Sequence, residues 1–393
     1  MRKLIVIFIF ISTFTVYGQS DLYFSFIPEE KYRVIERSDY RIRVNGVYKG
    51  HIYNQNRGIL EVSREQDGSY SVNGNYYIFE ELTKDGYRNA SKIDEVNHSS
   101  FSLYSSGEMI VDRNETYPLL RSFPNYDNEP KVKGDSWVAF SEKVILQNGT
   151  KTMVPIYCQY FYDGPGKYNG VDVHNIRAKY AVRYNRGDDP DGNENLKNIS
   201  GTHDVSIIIE MESGKPILIR DNMNEKHTFV DGGSLEKTGF ILTFFKGITG
   251  MEKAVLAEKL REEFDEELLK DVEISDSAEG IKLTLNQLHF LPDQAVILRE
   301  DTKLLDSIAD SLKKIQERTF FVKGHTADVG SVESQLDLSL KRAFVVVREL
   351  IKRGVPEDRF LYMGSGGSEP VASNETDEGR AKNRRVEIII LED

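Results

Sequence analysis

The chain has 393 residues, more than one average domain needs and suited to two. A hydrophobic share of 39% and an aromatic share of 10% exclude global disorder. The 63 acidic residues outnumber the 51 basic ones for a formal charge of −12, and no basic stripe interrupts them, which excludes nucleic acid as a partner.

The N-terminus carries a secretory signal pattern. Arg2 and Lys3 precede an apolar run from Leu4 to Val16, and Val16-Tyr17-Gly18 supplies small residues for cleavage before Gln19. The run is about 13 residues, short of the ~20 of a spanning helix, so residues 1–18 are expected to be removed and the mature chain to lie outside the inner membrane. Cys158 is the single cysteine, far from the signal and inside the strand-like run Pro155-Ile156-Tyr157-Cys158. It offers neither a lipid attachment point nor an intramolecular disulfide, and reads as a small buried hydrophobe.

Residues 19–250 have the period of two expected of half-buried strands. In Arg177 to Tyr184, the residues Ala178, Tyr180, Val182 and Tyr184 share one face while Arg177, Lys179 and Arg183 take the other. Val205–Met211 and Ile217–Asp221 flank a turn at 212–216 and predict a hairpin. Further turns are expected at Asp67-Gly68, Asn73-Gly74, Asp85-Gly86 and Asn148-Gly149. The expected fold is one antiparallel β domain, a sandwich or half-barrel. An integral outer-membrane barrel is the alternative, disfavoured because Tyr32 to Arg37 carries charge on both faces.

Over residues 251–271 the period becomes four, with Leu256, Leu260, Phe264 and Leu268 marking a linker helix. A second domain follows over 275–393. Its expected order is β-α-β-α-β-β: a strand from Ile281 to Phe290, a helix through Leu305, Ile308, Leu312 and Ile315, and a strand at 319–322. Next come a helix carrying Leu336, Leu340, Ala343, Val347 and Leu350, stopped by Gly354 and Pro356, and strands at 359–363 and 385–391. Such an α+β order layers helices on one face of a small mixed sheet.

Three motifs of this second domain stand out: Gly324-His325-Thr326-Ala327-Asp328, Leu338-Ser339-Leu340-Lys341-Arg342-Ala343, and Gly379-Arg380-Ala381-Lys382-Asn383-Arg384-Arg385. In this order and spacing they resemble the OmpA-like peptidoglycan-binding domain. The resemblance covers residues 280–393 and implies a site that holds the ammonium and carboxylate of a murein stem peptide. Arg342 matches the family's arginine position. Ala327 stands where the family has Asp, with Asp328 one residue later, and Gln335 stands where Asn is usual. An alanine there looks like spirochaete members of the family, whose walls carry ornithine. The residues expected to bind are Arg342, Asp328, Thr326, Gln335, Asn383, Arg384 and Arg385, with one of the two final arginines lining the cleft. His325 is expected to be a satisfied structural histidine.

Other constellations are declined. The loop 188–195 is oxygen-rich but lacks calcium-loop spacing, and is expected to be a solvated loop. Hydrolase, metalloprotease and phosphate-loop motifs are missing. The expectation is a non-enzymatic periplasmic protein, without cofactor or metal, that ties the wall to the outer membrane or to an envelope partner. A lipid or glycan carrier merely anchored to the wall is the alternative, and an internal apolar cavity in the β domain would favour it.

Overall fold

The computed structural model describes residues 19–26, 31–79, 91–248, 251–264, 268–277, 279–286, 288, 290–291, 294–298, 301–315 and 318–392. The expected signal at 1–18 and the turn at Asp85-Gly86 lie outside them.

Long strands dominate the first two thirds. They are β1 (Lys31–Val44), β2 (Val47–Arg64), β3 (Tyr70–Phe79), β4 (Ser91–Lys92), β5 (Glu95–Leu103), β6 (Met109–Val111) and β7 (Leu120–Arg121). There follow β8 (Ser136–Gln147), β9 (Thr150–Tyr168), β10 (Val171–Asn185), β11 (Leu196–Glu210), β12 (Pro216–Phe229) and β13 (Ser234–Ile248). All but β4 form one twelve-stranded sheet in the order β6-β5-β3-β2-β1-β13-β12-β11-β10-β9-β8-β7. Its edges nearly meet, because Met109 N donates to Ser122 Oγ at 2.9 Å. The antiparallel β domain thus takes the half-barrel form rather than the sandwich. Gly74 is no turn residue: it sits inside β3 opposite Leu60, and a Cβ there would lie 2.0 Å from Ile59 O. An Asn-Gly pair signals a turn locally, but here close strand approach fixes the glycine.

The alternation read from the sequence decides which face is inside. Ala178, Tyr180, Val182 and Tyr184 of β10 are buried within, while Arg177, Lys179 and Arg183 are exposed outside. In β12, Arg220 and Lys226 point outward. A membrane barrel has the reverse polarity, and each lipid-facing Arg or Lys at mid-membrane would cost ~2–4 kcal/mol. The integral-barrel alternative therefore does not fit these strands. One end of the half-barrel is plugged by residues 19–26: Phe24 N donates to Ser105 O at 2.7 Å and Ser25 N to Ser213 O at 2.8 Å. Only glycine fits at 214, where φ is +67° and a Cβ would lie 1.3 Å from Tyr23 O.

The remaining elements are α1 (Lys253–Glu263), β14 (Val272–Ser277), β15 (Gly280–Leu285), α2 (Thr302–Lys314), β16 (Phe320–Gly324), α3 (Val332–Lys352), β17 (Phe360–Gly364), α4 (Asp377–Asn383) and β18 (Val386–Leu391). The linker helix ends at Glu263, short of 271, and β15 ends at Leu285, short of 290. Two elements escaped the sequence reading. Strand β14 has only Val272 and Ile274 as apolar signal, and α4 is a short polar helix set by its cap, Thr376 Oγ1 accepting from Gly379 N at 3.0 Å.

These strands form a six-stranded sheet, β14-β15-β18-β16-β17-β4, with β16–β17 parallel and β15–β18 antiparallel. On one face Phe320, Val322, Ile388 and Ile390 lie beneath Leu305, Ile308 and Leu312 of α2 and Ala343 and Val347 of α3. The other face is apolar too. Phe321, Leu361, Ile389 and Leu391 bury against Tyr77, Phe79 and Ile93 of the β domain. Strand β4, from the first half of the chain, completes the sheet by pairing parallel to β17. Polar contacts rim this junction: Lys31 Nζ to Glu392 Oε2 at 2.6 Å and Tyr77 OH to Glu279 Oε1 at 2.8 Å. The two halves are therefore docked through a dry core.

Truncating Phe321, fully buried and edge-on to Tyr77 at 5.6 Å, is expected to cost ~3–5 kcal/mol. Urea denaturation of Phe321→Ala measures this. The control Val255→Ala, at a position 61% exposed, is expected to change stability by less than ~0.5 kcal/mol.

Candidate functional site

The site is built where α3 crosses the ends of β16 and β17. The helix starts at Ser331, whose hydroxyl accepts from Ser334 N at 3.2 Å, and Glu333 adds a favourable charge in its first turn. It stops at Gly354, where φ is +93°. Gln335, Ser339 and Arg342 are three or four residues apart, so they share one face, and all three are buried. That face can press on the strand ends because both end in glycine. A Cβ at Gly324 would lie 2.1 Å from Ser339 O, and one at Gly364 2.4 Å from Leu340 N.

Beyond the strands, two loops hang from the helix. Gly366 N donates to Ser339 Oγ at 2.9 Å and Gly367 N to Gln335 Oε1 at 3.1 Å, while Thr326 N donates to Gly366 O at 2.8 Å. The glycine-rich stretch 364–368 is thus a loop clamped to α3. Gln335 Nε2 donates in turn to Asp328 Oδ1 at 3.1 Å and Gly330 O at 3.2 Å. Asn374 Oδ1 accepts from Asp328 N at 3.1 Å and from Asn383 Nδ2 at 2.8 Å. Asn383, fully buried, also binds Val371 N at 2.9 Å and Ala372 N at 3.0 Å through Oδ1.

Thr326, Asp328, Gln335 and Asn383 therefore belong to one network. Arg342 lies two turns further along the same helix face, about 10 Å from Gln335 along the axis. It is 5% exposed, with its guanidinium 4.9 Å above the Phe290 ring and Nε 3.4 Å from Gln294 O. The two final arginines separate: Arg384 is exposed at the end of α4, and Arg385 is buried. Ala327 is buried, whereas Asp328 is exposed at the loop surface.

Beneath the loops runs a charged floor. Arg385 Nε donates to Glu387 Oε1 at 2.8 Å and its Nη1 to Glu369 O at 3.1 Å. Lys323 Nζ meets both Glu369 oxygens at 2.9 Å. His325 is buried but not satisfied as expected: its Nε2 lies 3.5 Å from Glu387 Oε2, and neither ring nitrogen has a hydrogen-bond partner. Burial lowers the His325 pKa and keeps the ring neutral. Burial works to raise the Glu387 carboxyl, but the His325 ring and the Arg385 guanidinium outweigh it and hold the group down at about 2.

Sequence reasoning missed Ser339, Asn374 and Glu387. Ser339 could have been found from helical spacing, one turn from both Gln335 and Arg342. Asn374 has no local signal, because it joins Asp328, 46 residues away, to Asn383 at the end of α4. Elsewhere, the loop 188–195 is not merely solvated: Asp189 is buried, pairs with Arg113 and accepts from Met153 N at 2.7 Å. Among the described residues no group of side chains could hold a metal ion. Cys158 is buried, and desolvation pushes its thiol up to about 11, so it is not a nucleophile.

Residues 289–384 match the model of the OmpA family, and the chain carries an OmpA-family domain over that segment. The Peptidoglycan-binding protein ArfA of Mycobacterium tuberculosis is 39% identical over 108 residues, which are 28% of this chain and 33% of that protein. Outer membrane protein A of Bordetella avium is 37% identical over 99 residues, 25% of this chain and 51% of that protein. Among solved structures, the cell wall anchor of the T6SS from Pseudomonas aeruginosa is 31% identical, with 36% of this chain and 99% of that chain covered and a TM-score of 0.31. The chain thus spans from a third to about half of the length of these curated relatives.

The charged floor makes an acid-sensitive domain. Glu387 has a folded pKa depressed below its usual 4.5, so its contribution is present above that pH and lost as pH falls towards 2. His325, held neutral, works in the same direction below its usual 6.5. Urea unfolding from pH 7 down to pH 3 is expected to show this loss, with Glu387→Gln removing roughly 2 kcal/mol of the pH-dependent part over that range.

Proposed function

We propose that the OmpA-family domain binds peptidoglycan noncovalently and that the protein ties the cell wall to the outer membrane or to an envelope partner without catalysis. The observation that carries this reading is the family match over 289–384, which spans both Asp328, in the loop that Gln335 of α3 holds, and Arg342, two turns further along that helix. A murein stem peptide presents an ammonium and a carboxylate on a hydrated chain. Asp328 is the ammonium partner and Arg342 the carboxylate or carbonyl partner, since charge-assisted pairs are short and directional.

The remaining expected residues divide by role. Thr326, Gln335 and Asn383 hold the loops that present Asp328, Arg384 lies at the exposed rim, and Arg385 braces the floor. Ala327 at the family's Asp position turns a methyl into the core and leaves Asp328 as the available carboxylate, which suits a stem-peptide ammonium such as that of ornithine. The reading includes a cleaved signal at 1–18, a β domain over 19–250, a linker at 251–271 and the wall-binding domain at 275–393. It places the protein in the periplasm. Binding at this partly open cleft weakens with salt, because exposed charge pairs are screened.

Co-sedimentation of the full mature chain with purified sacculi tests this. Arg342→Ala is expected to weaken retention by about tenfold or more, and Asp328→Asn by less. A folded Arg342→Ala variant that sediments like the native protein overturns the assignment of the cleft.

A further inference from the structure

The half-barrel is filled unevenly. In β10 and β12 buried and exposed residues alternate, but every residue of β13 from Ser234 to Phe245 is half-buried. A strand shows that pattern when its inner face borders open space as well as its outer face. The space is a cavity of about 400 Å³ along β1 and β13, within the range of small-molecule sites. Along β1 its wall is Tyr32, Val34, Glu36, Ser38 and Tyr40, every second residue over a length of about 26 Å.

Polarity changes along this length in register on neighbouring strands. Tyr32 faces Leu60 of β2 at the plugged end, whereas Glu36 faces Asn56 and Ser38 faces Asn54 further along. Strand β12 runs likewise from Ile219 through Asp221 to Glu225 and His227. Phe24, Phe26, Val62 and Phe101 close the apolar end. The cavity is therefore long and narrow, oily at one end and polar at the other.

Two nitrogens at the polar end lack a partner. Glu225 accepts from Lys143, from His203 Nε2 at 2.9 Å and from His227 Nε2 at 3.0 Å, which occupies its oxygens. Lys237 lies directly opposite Glu225 in the β12–β13 register but is left without a hydrogen bond or ion pair among the described residues. Next to it, His227 is 1% exposed and its Nδ1 has no partner. A half-buried ammonium on the cavity wall with no acceptor leaves its donors to whatever fills the cavity.

We propose that the half-barrel holds a single-chain amphiphile with a carboxylate head, its hydrocarbon tail against the Phe24–Phe26 plug and its head at Lys237. A carboxylate accepts from the Lys237 ammonium, and such charge-assisted bonds are the strong ones. Burial lowers the Lys237 pKa, and an anion beside it restores the charged form. Burial raises the Glu36 carboxyl, which favours its uncharged form and lessens its repulsion of the ligand. An ammonium head would instead face Lys237 across the cavity.

The full mature chain is titrated with the fluorescent fatty acid cis-parinaric acid, and bound probe is displaced with oleate or oleylamine. Saturable one-to-one binding is expected, with oleate displacing the probe at least about tenfold better than oleylamine. Lys237→Met is expected to weaken the probe about tenfold or more, and Lys237→Arg to retain it, while sacculus binding stays unchanged in both. Should Lys237→Met fail to fold, the competitor order decides alone. The proposal is overturned by a folded chain that binds no probe saturably, by oleylamine competing as well as oleate, or by a folded Lys237→Met with native affinity.

Discussion

The structure depends on one constraint: the C-terminal sheet is apolar on both faces and must be covered on both. Phe320-Phe321-Val322 and Ile388-Ile389-Ile390-Leu391 are continuous apolar runs, and successive side chains of a strand point to opposite sides. Helices α2 and α3 cover one side. The other cannot be left to water, and the outer surface of β3 covers it with Tyr77 and Phe79 while Ser91–Lys92 adds a strand. The C-terminal domain is therefore packed against the β domain rather than joined to it by the chain alone.

The same covering sets the site. Helix α3 can reach the sheet closely only at Gly324 and Gly364, and this approach brings Gln335 and Ser339 within hydrogen-bond reach of the two loops. Asp328 is then held by Gln335 and Asn374 rather than by its own loop. The floor of Arg385, Glu387, Glu369 and Lys323 keeps the loop base rigid, with each charge compensated by a neighbour. Arg342, over the Phe290 ring, lies two turns further along the helix than Gln335.

In the β domain the balance differs. Its outer face is charged and its lobes on either side of the β1–β13 seam are packed, yet the seam itself is hollow and lined by groups that a filled core would exclude. Buried Glu225 and half-buried Glu36 and Lys237 gather with Asp221 and His227 at one end of this seam, where charged groups away from bulk water cost stability unless they are paired.

Much was legible in the sequence wherever the signal was local. The period of two in β10, the helical spacing in α2 and α3, the Gly354 stop and the three motifs of the terminal domain each depend on residues close together in the chain. Where partners are distant, local pattern failed. Gly74 read as a turn because Asn-Gly usually is one, but the Ile59 carbonyl of a neighbouring strand decided it. The apolar runs of β16 and β18 announced burial on both faces without saying what would cover the second. Arg384 and Arg385 could not be told apart until Glu387 and Glu369 were placed beside one of them. Composition and periodicity thus determined the two halves and their element types, because those follow from the backbone's own repeat. The docking, the cavity and the pairing of each charge were decided only in three dimensions, where contacts join residues hundreds of positions apart.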